Sequence, residues 1–150
     1  MKSYVFDNWI GITVPDSWEV EKREGNPHLQ VYSNDASGVI LISFFRRTQN
    51  EGNLKDEVEK VTTRFMEQMG ADVSQNMYRV FKKSKFRHFK REDDVCFTLL
   101  EYNDGENYWR VWHFLDKSRL TLVTYNCNIL HKNEEREVVS KIIESIDFVD

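Results

Sequence analysis

The residues best suited to recognising another molecule are basic and lie in one run. From Arg79 to Arg91 the chain carries Arg79, Lys82, Lys83, Lys85, Arg87, Lys90 and Arg91 with no acid among them, interleaved with Phe81, Phe86 and Phe89. Acid prevails elsewhere: residues 1–78 hold 8 basic and 12 acidic side chains, and 92–150 hold 6 and 13. A basic ribbon on an acidic body can dock an acidic protein surface, a membrane headgroup layer or phosphates, with the rings as anchors. The same pattern suits an edge hairpin whose lysines block strand-to-strand aggregation while its phenylalanines point inward. The net charge of −4 and the abrupt end of the ribbon in Glu92-Asp93-Asp94 argue against a dedicated nucleic-acid binder. Trp109 and Trp112 are a second candidate. They stand three apart in one strand and so face opposite sides, which means both are buried only where both faces of the sheet are covered; an indole left on an open face would anchor a partner's apolar segment.

Residue patterns that would carry catalysis are missing. The chain has no Gly-x-Gly, no phosphate loop ending in Gly-Lys-Ser/Thr, no Gly-x-Ser-x-Gly elbow, no Cys-x-x-Cys and no His pair at helical spacing. His28, His88, His113 and His131 are scattered over separate elements. His113, between Trp112 and Phe114, reads as a packed strand histidine, and Cys127 near a strand end reads as a packed thiol, because neither has an identifiable chemical partner in sequence. Glu92-Asp93-Asp94 and Asp104-Gly105-Glu106 fall at expected turns, without the ordered six to eight oxygens that calcium normally takes. No cofactor, no metal and no catalytic residue is expected.

These side chains must be positioned by two runs of strands, each closed by a helix. Trp9-Ile10-Gly11-Ile12-Thr13-Val14 is a strand stopped by Pro15, which has no N–H for a continuing ladder. Strands are predicted at Trp18 to Glu21 and Leu29 to Ser33. Val39 to Phe45, apolar on both faces, predicts a central strand covered on both sides. Leu54, Val58, Val61, Phe65 and Met69 recur every three or four residues on one helical stripe, with Asn53 as cap, Asp56 and Glu57 at the positive end of the dipole, and Gly70 as the stop. The second run offers weak strands at Met77 to Phe81 and Lys85 to Lys90, then a meander of Val95 to Tyr102, Tyr108 to Leu115 and Leu120 to Asn126, its first turn at Asn103-Asp104-Gly105-Glu106. Val138, Val139, Ile142, Ile143 and Ile146 form the stripe of a closing helix capped by Asn133 or a neighbour.

A strand ending in Val14-Pro15, Trp18 three residues after that proline, the turn at Gly25, the two-faced strand Val39 to Phe45, and the ending Ser145-Ile146-Asp147-Phe148-Val149 resemble the Mog1/PsbP/DcrB-like proteins over nearly the whole chain. The resemblance implies an α+β fold, an antiparallel β-sheet flanked by two helices in an α/β/α sandwich. It also implies a group whose members mostly act by binding other proteins: a small GTPase, a photosynthetic assembly, or secretion effectors served by chaperones. The leader cysteine of the lipoprotein members is missing, and no functional residue carries over.

At 150 residues, 40% hydrophobic and 31% charged, the chain is long enough for one compact domain spanning residues 1–150. No apolar run approaches the roughly 20 residues that span a bilayer. The N-terminus has no apolar leader segment, and Cys96 and Cys127 form no close pair, so a cytoplasmic address is expected, and the resemblance implies a bacterial protein. The expected role is a non-catalytic accessory domain, chaperone-like or immunity-like, that binds another protein through an exposed sheet face or the basic ribbon. A chaperone needs an open apolar face, usually doubled by a homodimer. The alternative is a small-molecule binding protein with a pocket between sheet and helix.

Overall fold

The structure, a computed structural model, describes residues 1–22, 24–25, 27–47, 53–69, 77–83, 95–103, 105–116 and 118–148. Its elements in chain order are β1 (Lys2–Phe6), β2 (Ile10–Val14), β3 (Glu19–Lys22), β4 (His28–Tyr32), β5 (Gly38–Arg46), α1 (Leu54–Met69), β6 (Met77–Lys83), β7 (Val95–Asn103), β8 (Asn107–Leu115), β9 (Arg119–Asn128), a 3-10 turn (Ile129–His131), α2 (Arg136–Glu144) and β10 (Asp147–Phe148). Among the described residues these form an antiparallel sheet of seven strands in the order β3-β4-β5-β9-β8-β7-β6 and a smaller one in the order β1-β2-β10. The fold class is the expected α+β.

Local chemistry explains the boundaries. Asp7 and Asn8, both at positive φ (49° and 51°), are the central residues of the turn between β1 and β2, closed by a 2.7 Å bond from Trp9 N–H to the Phe6 carbonyl. The strand β1 precedes the first predicted strand, and Trp9 belongs to the turn rather than to β2. Proline 15 ends β2 as expected. Asn53 caps α1 by accepting from the Asp56 amide at 2.8 Å, an interaction worth about 1 kcal/mol. For α2 the expected side-chain cap fails: Glu135 stands at the cap position, but its carboxylate is engaged by the Tyr125 hydroxyl (2.5 Å) and the Ser37 amide (3.2 Å). The predicted stop at Gly70 and the strand at Lys85 to Lys90 lie outside the described residues.

Two layers pack on the large sheet. On one face lie the small sheet and α2, and between them and the large sheet is the main core: Trp9, Ile10, Ile12, Val14 and Trp18 against Leu29, Val31, Ile40, Ile42, Val123 and Tyr125, with Val139, Ile142, Ile146 and Phe148 from the C-terminal part. On the other face α1 packs against β7 and β8. Val58 meets Cys96 and Leu115, and Phe65 and Met66 meet Leu100, Tyr102 and Val111. Because neighbours across an antiparallel ladder share a face, Cys96 points to α1 while Cys127 points to the main core. The two thiols are buried on opposite sides of the sheet and form no disulfide.

Candidate functional site

Of the basic ribbon, the described part is the backbone of β6, which places Arg79 opposite Leu99, Lys82 opposite Cys96 and Lys83 opposite Val95, on the last strand of the large sheet. Lys85, Arg87, Lys90 and Arg91 lie outside the described residues. Trp109 and Trp112 do face opposite sides of β8. Trp112 is 3% exposed in the main core, with the Arg110 guanidinium carbon 4.7 Å from its ring centre, so it cannot serve as a partner anchor without unfolding. Trp109 is half-buried on the α1 side and stacks on Tyr102 at 6.0 Å, the rings 4° from parallel.

The α1 side of the large sheet is covered unevenly. A helix about 10–12 Å across spans only two to three strands spaced about 4.8 Å apart. Under α1 the inward residues Val111, His113 and Leu115 of β8 are buried. One strand further, on β9, Leu122, Thr124 and Asn126 are half-buried, and on β5 Val39 and Leu41 are half-buried while Phe45 is 48% exposed. Among the described residues no element lies over β5 on this side. Among the described residues β5 therefore has one face in the core and one covered in part, with Ser43 buried and Phe45 exposed on it, where the sequence pattern predicts cover on both sides.

On the opposite side of the sheet a buried polar cluster sits where β7 and β8 meet the start of α2. Glu101 is 8% exposed, and its Oε1 receives the Arg136 Nη2 (2.6 Å) and the Tyr108 hydroxyl (3.1 Å). Tyr108 in turn accepts from Arg136 Nη1 at 2.8 Å. Arg110, 5% exposed, stands directly across the ladder from Glu101. Its Nη1 donates to Ser140 Oγ at 3.2 Å; its Nε lies 3.2 Å from the same Glu101 oxygen but out of line for a hydrogen bond, and so has no acceptor. Burial and then the Glu101 charge push the Tyr108 hydroxyl up to about 12, which keeps it protonated. Burial opposes the charge on Arg110 and pulls its pKa down. On Arg136 burial acts the same way but is outweighed by Tyr108 and Glu101, so its pKa rises. Beside the cluster opens a cavity of about 260 Å³ lined by Glu101, Tyr108, Arg136, Lys132 and Asn133 with the end of β7. Its walls combine charged and amide side chains with the rings of Tyr102 and Tyr108.

The other chemical candidates resolve into packing. His113 touches Thr62 Oγ1 at 3.2 Å and the edge of Phe65 at 5.4 Å between ring centres, and burial pushes it down to about 4, so it is a neutral core residue. Burial raises the Cys127 thiol, the opposite of what a nucleophile needs. His28 lies 2.5 Å from Ser43 Oγ, a pairing no spacing signalled. Ser43 sits mid-strand between β4 and β9, where the ladder engages backbone amides and leaves none to build an oxyanion site. His131 pairs with Glu134 on the surface, and His88 lies outside the described residues. Among the described residues no three His, Cys, Asp or Glu side chains gather as metal ligands, and no helix is long and apolar enough to cross a membrane.

Glu101, Arg110 and Arg136 escaped the sequence reading because they come from three elements with no common spacing. The available signal was charge at inward strand positions, Arg110 standing in the same period-two register as Trp112 and Phe114.

No protein-family model matches the chain, and no curated protein sequence matches it significantly. Two of the solved structures similar to it illustrate the likeness. One is LpqN, involved in cell envelope biogenesis of Mycobacterium tuberculosis, at TM-score 0.65 and 8% identity, with 94% of this chain and 83% of that one covered. The other is the cyanobacterial PsbP (CyanoP) from Synechocystis, at TM-score 0.60 and 10% identity, covering 98% and 91%. The chain has the Mog1/PsbP-like fold that Val14-Pro15, Trp18 and the two-faced strand resemble.

Proposed function

We propose that this chain is a non-catalytic accessory domain that binds another protein on the open α1 side of its large sheet. The observation that carries the reading is β5, apolar on both faces yet fully covered on only one among the described residues. Val39, Leu41 and Phe45 with Leu122 supply the apolar side chains of this face, interrupted by the buried Ser43 paired with His28 and bordered by the half-buried Gln30, Tyr32, Thr124 and Asn126. An apolar centre with a polar border is the composition of a protein-docking surface, and a partner's apolar segment is the chemistry that would cover it. The two buried thiols, neither in a disulfide, support a reducing, cytoplasmic setting for that partnership.

Affinity purification of the tagged protein at native expression, with identification of the bound chains, tests the reading. A partner captured by the parent and lost with Leu41→Glu supports it. Capture retained by Leu41→Glu but lost with Lys82→Glu and Lys83→Glu would move the surface to the basic ribbon, and a doubled mass in light scattering would make the occupant a second copy. If no chain copurifies across low and moderate salt and the protein is monomeric, the reading is wrong.

A further inference from the structure

The cavity between the end of β7 and the start of α2 is not used by the sheet-face reading, and among the described residues its charges do not balance. Of the charged residues lining it, Lys132 and Arg136 are cations and Glu101 is the one carboxylate. That carboxylate is already shared: its Oε1 serves Arg136 and Tyr108, and Arg110 stands behind it with a buried Nε that has no acceptor. Two guanidinium groups thus lean on one carboxylate; Arg136 is exposed, but Arg110 is buried, and a buried guanidinium that must share its carboxylate is costly. At the mouth the Lys132 ammonium and the Asn133 amide have no protein partner among the described residues. The neighbouring carboxylates turn away, Glu134 to His131 and Ser37, and Glu135 to Tyr125 and Ser37. In a chain of net charge −4, this is a concave place with surplus positive charge and donors that lack acceptors.

We infer that the cavity is a binding site for a compact oxyanion, a carboxylate or phosphate group on a small molecule. Lys132 and Asn133 meet the oxyanion directly, the outward N–H groups of Arg136 complete the set, and Tyr108, holding its proton between Glu101 and Arg136, fixes the guanidinium plane. A volume of about 260 Å³ admits a small organic acid or a phosphate ester and excludes a folded partner. The site lies on the other side of the sheet from Leu41, so it stands or falls separately from the protein-docking reading.

The test is thermal unfolding of the full chain with inorganic phosphate, with succinate, and with chloride at matched ionic strength, followed by amide chemical shifts. Phosphate or succinate should raise the midpoint progressively with concentration where chloride does not, and the larger effect names the group bound. Lys132→Ala, an exposed position, should weaken that binding by about tenfold, the size of one hydrogen bond to a charged group, with shift changes in the parent centred on Lys132, Asn133 and Arg136. Leu41→Glu should bind as the parent does. The inference is overturned if neither anion exceeds chloride, or if Lys132→Ala binds with unchanged affinity.

Discussion

His113 is a titratable group held where it cannot take up a proton. It stands on β8 beneath α1, against Thr62 and Phe65, and Thr62 is itself 2.5 Å from Thr98 Oγ1. Burial lowers its pKa from 6.5 to about 4. Between those values the unfolded chain binds a proton that the folded chain refuses, so stability is lost as pH falls through that window. The loss attributable to this residue between pH 7 and 4.5 should reach about 2 to 3 kcal/mol. Urea unfolding at both pH values should therefore show a smaller drop for His113→Leu than for the parent. Equal drops would mean that the imidazole is protonated in the folded state. The packed character of His113 was legible in the sequence, since Trp112 and Phe114 flank it in an alternating run. Its partner hydroxyls were not, because Thr62 lies 51 residues away on a helix whose apolar stripe says nothing about which strand it crosses.

At the scale of elements, β5 carries both the core and the open face, and its start is set by a close approach. A Cβ added at Gly38 would run into the Asn126 carbonyl oxygen and come within 2.6 Å of the Tyr125 ring. The carbonyl is backbone in the adjoining strand β9 and cannot swing aside, and Tyr125 is fixed by its bond to Glu135. Gly38→Ala should cost about 1 to 3 kcal/mol, as overpacking in a filled interior does. A denaturant midpoint equal to the parent's would show that the strands part freely there. Strand and helix identity were largely readable: the spacing from Leu54 to Met69 and the cap at Asn53 delimit α1, and alternation marks the β7-β8-β9 meander. Coverage was not readable, because the pattern of β5 states that both faces are apolar without stating how many strands one helix can shelter. The charged cavity was hidden for a related reason, its residues meeting only once β7, β8 and α2 converge.

For the whole molecule, the decisive contact joins the two ends of the chain. Asp147 and Phe148 in β10 pair with Gly11 and Ile10 in β2, completing the small sheet that closes the main core. Phe148 is fully buried, its ring 5.5 Å from that of Phe114 in the large sheet, so one side chain ties the small sheet to the large one. Ser145, at the end of α2, joins that helix to the small sheet: its Oγ accepts from the Thr13 amide at 2.9 Å while its hydroxyl has the Ile142 carbonyl at 2.6 Å and the Thr13 carbonyl at 3.0 Å as acceptors. Removing a buried phenyl ring typically costs about 3 to 5 kcal/mol, and here the loss falls on an interface between layers rather than inside one. Phe148→Ala should lower global stability by that amount in denaturant unfolding. It should also speed amide exchange in β1 and β2 more than in β8 and β9, since the hairpin keeps its own ladder but loses the strand and the ring that hold it to the core. The α1 side, and with it the apolar band around Leu41, should be left intact, so partner capture under native conditions should survive the substitution. Uniform acceleration across both sheets would instead mean that the layers open only together, with the small sheet part of one cooperative unit.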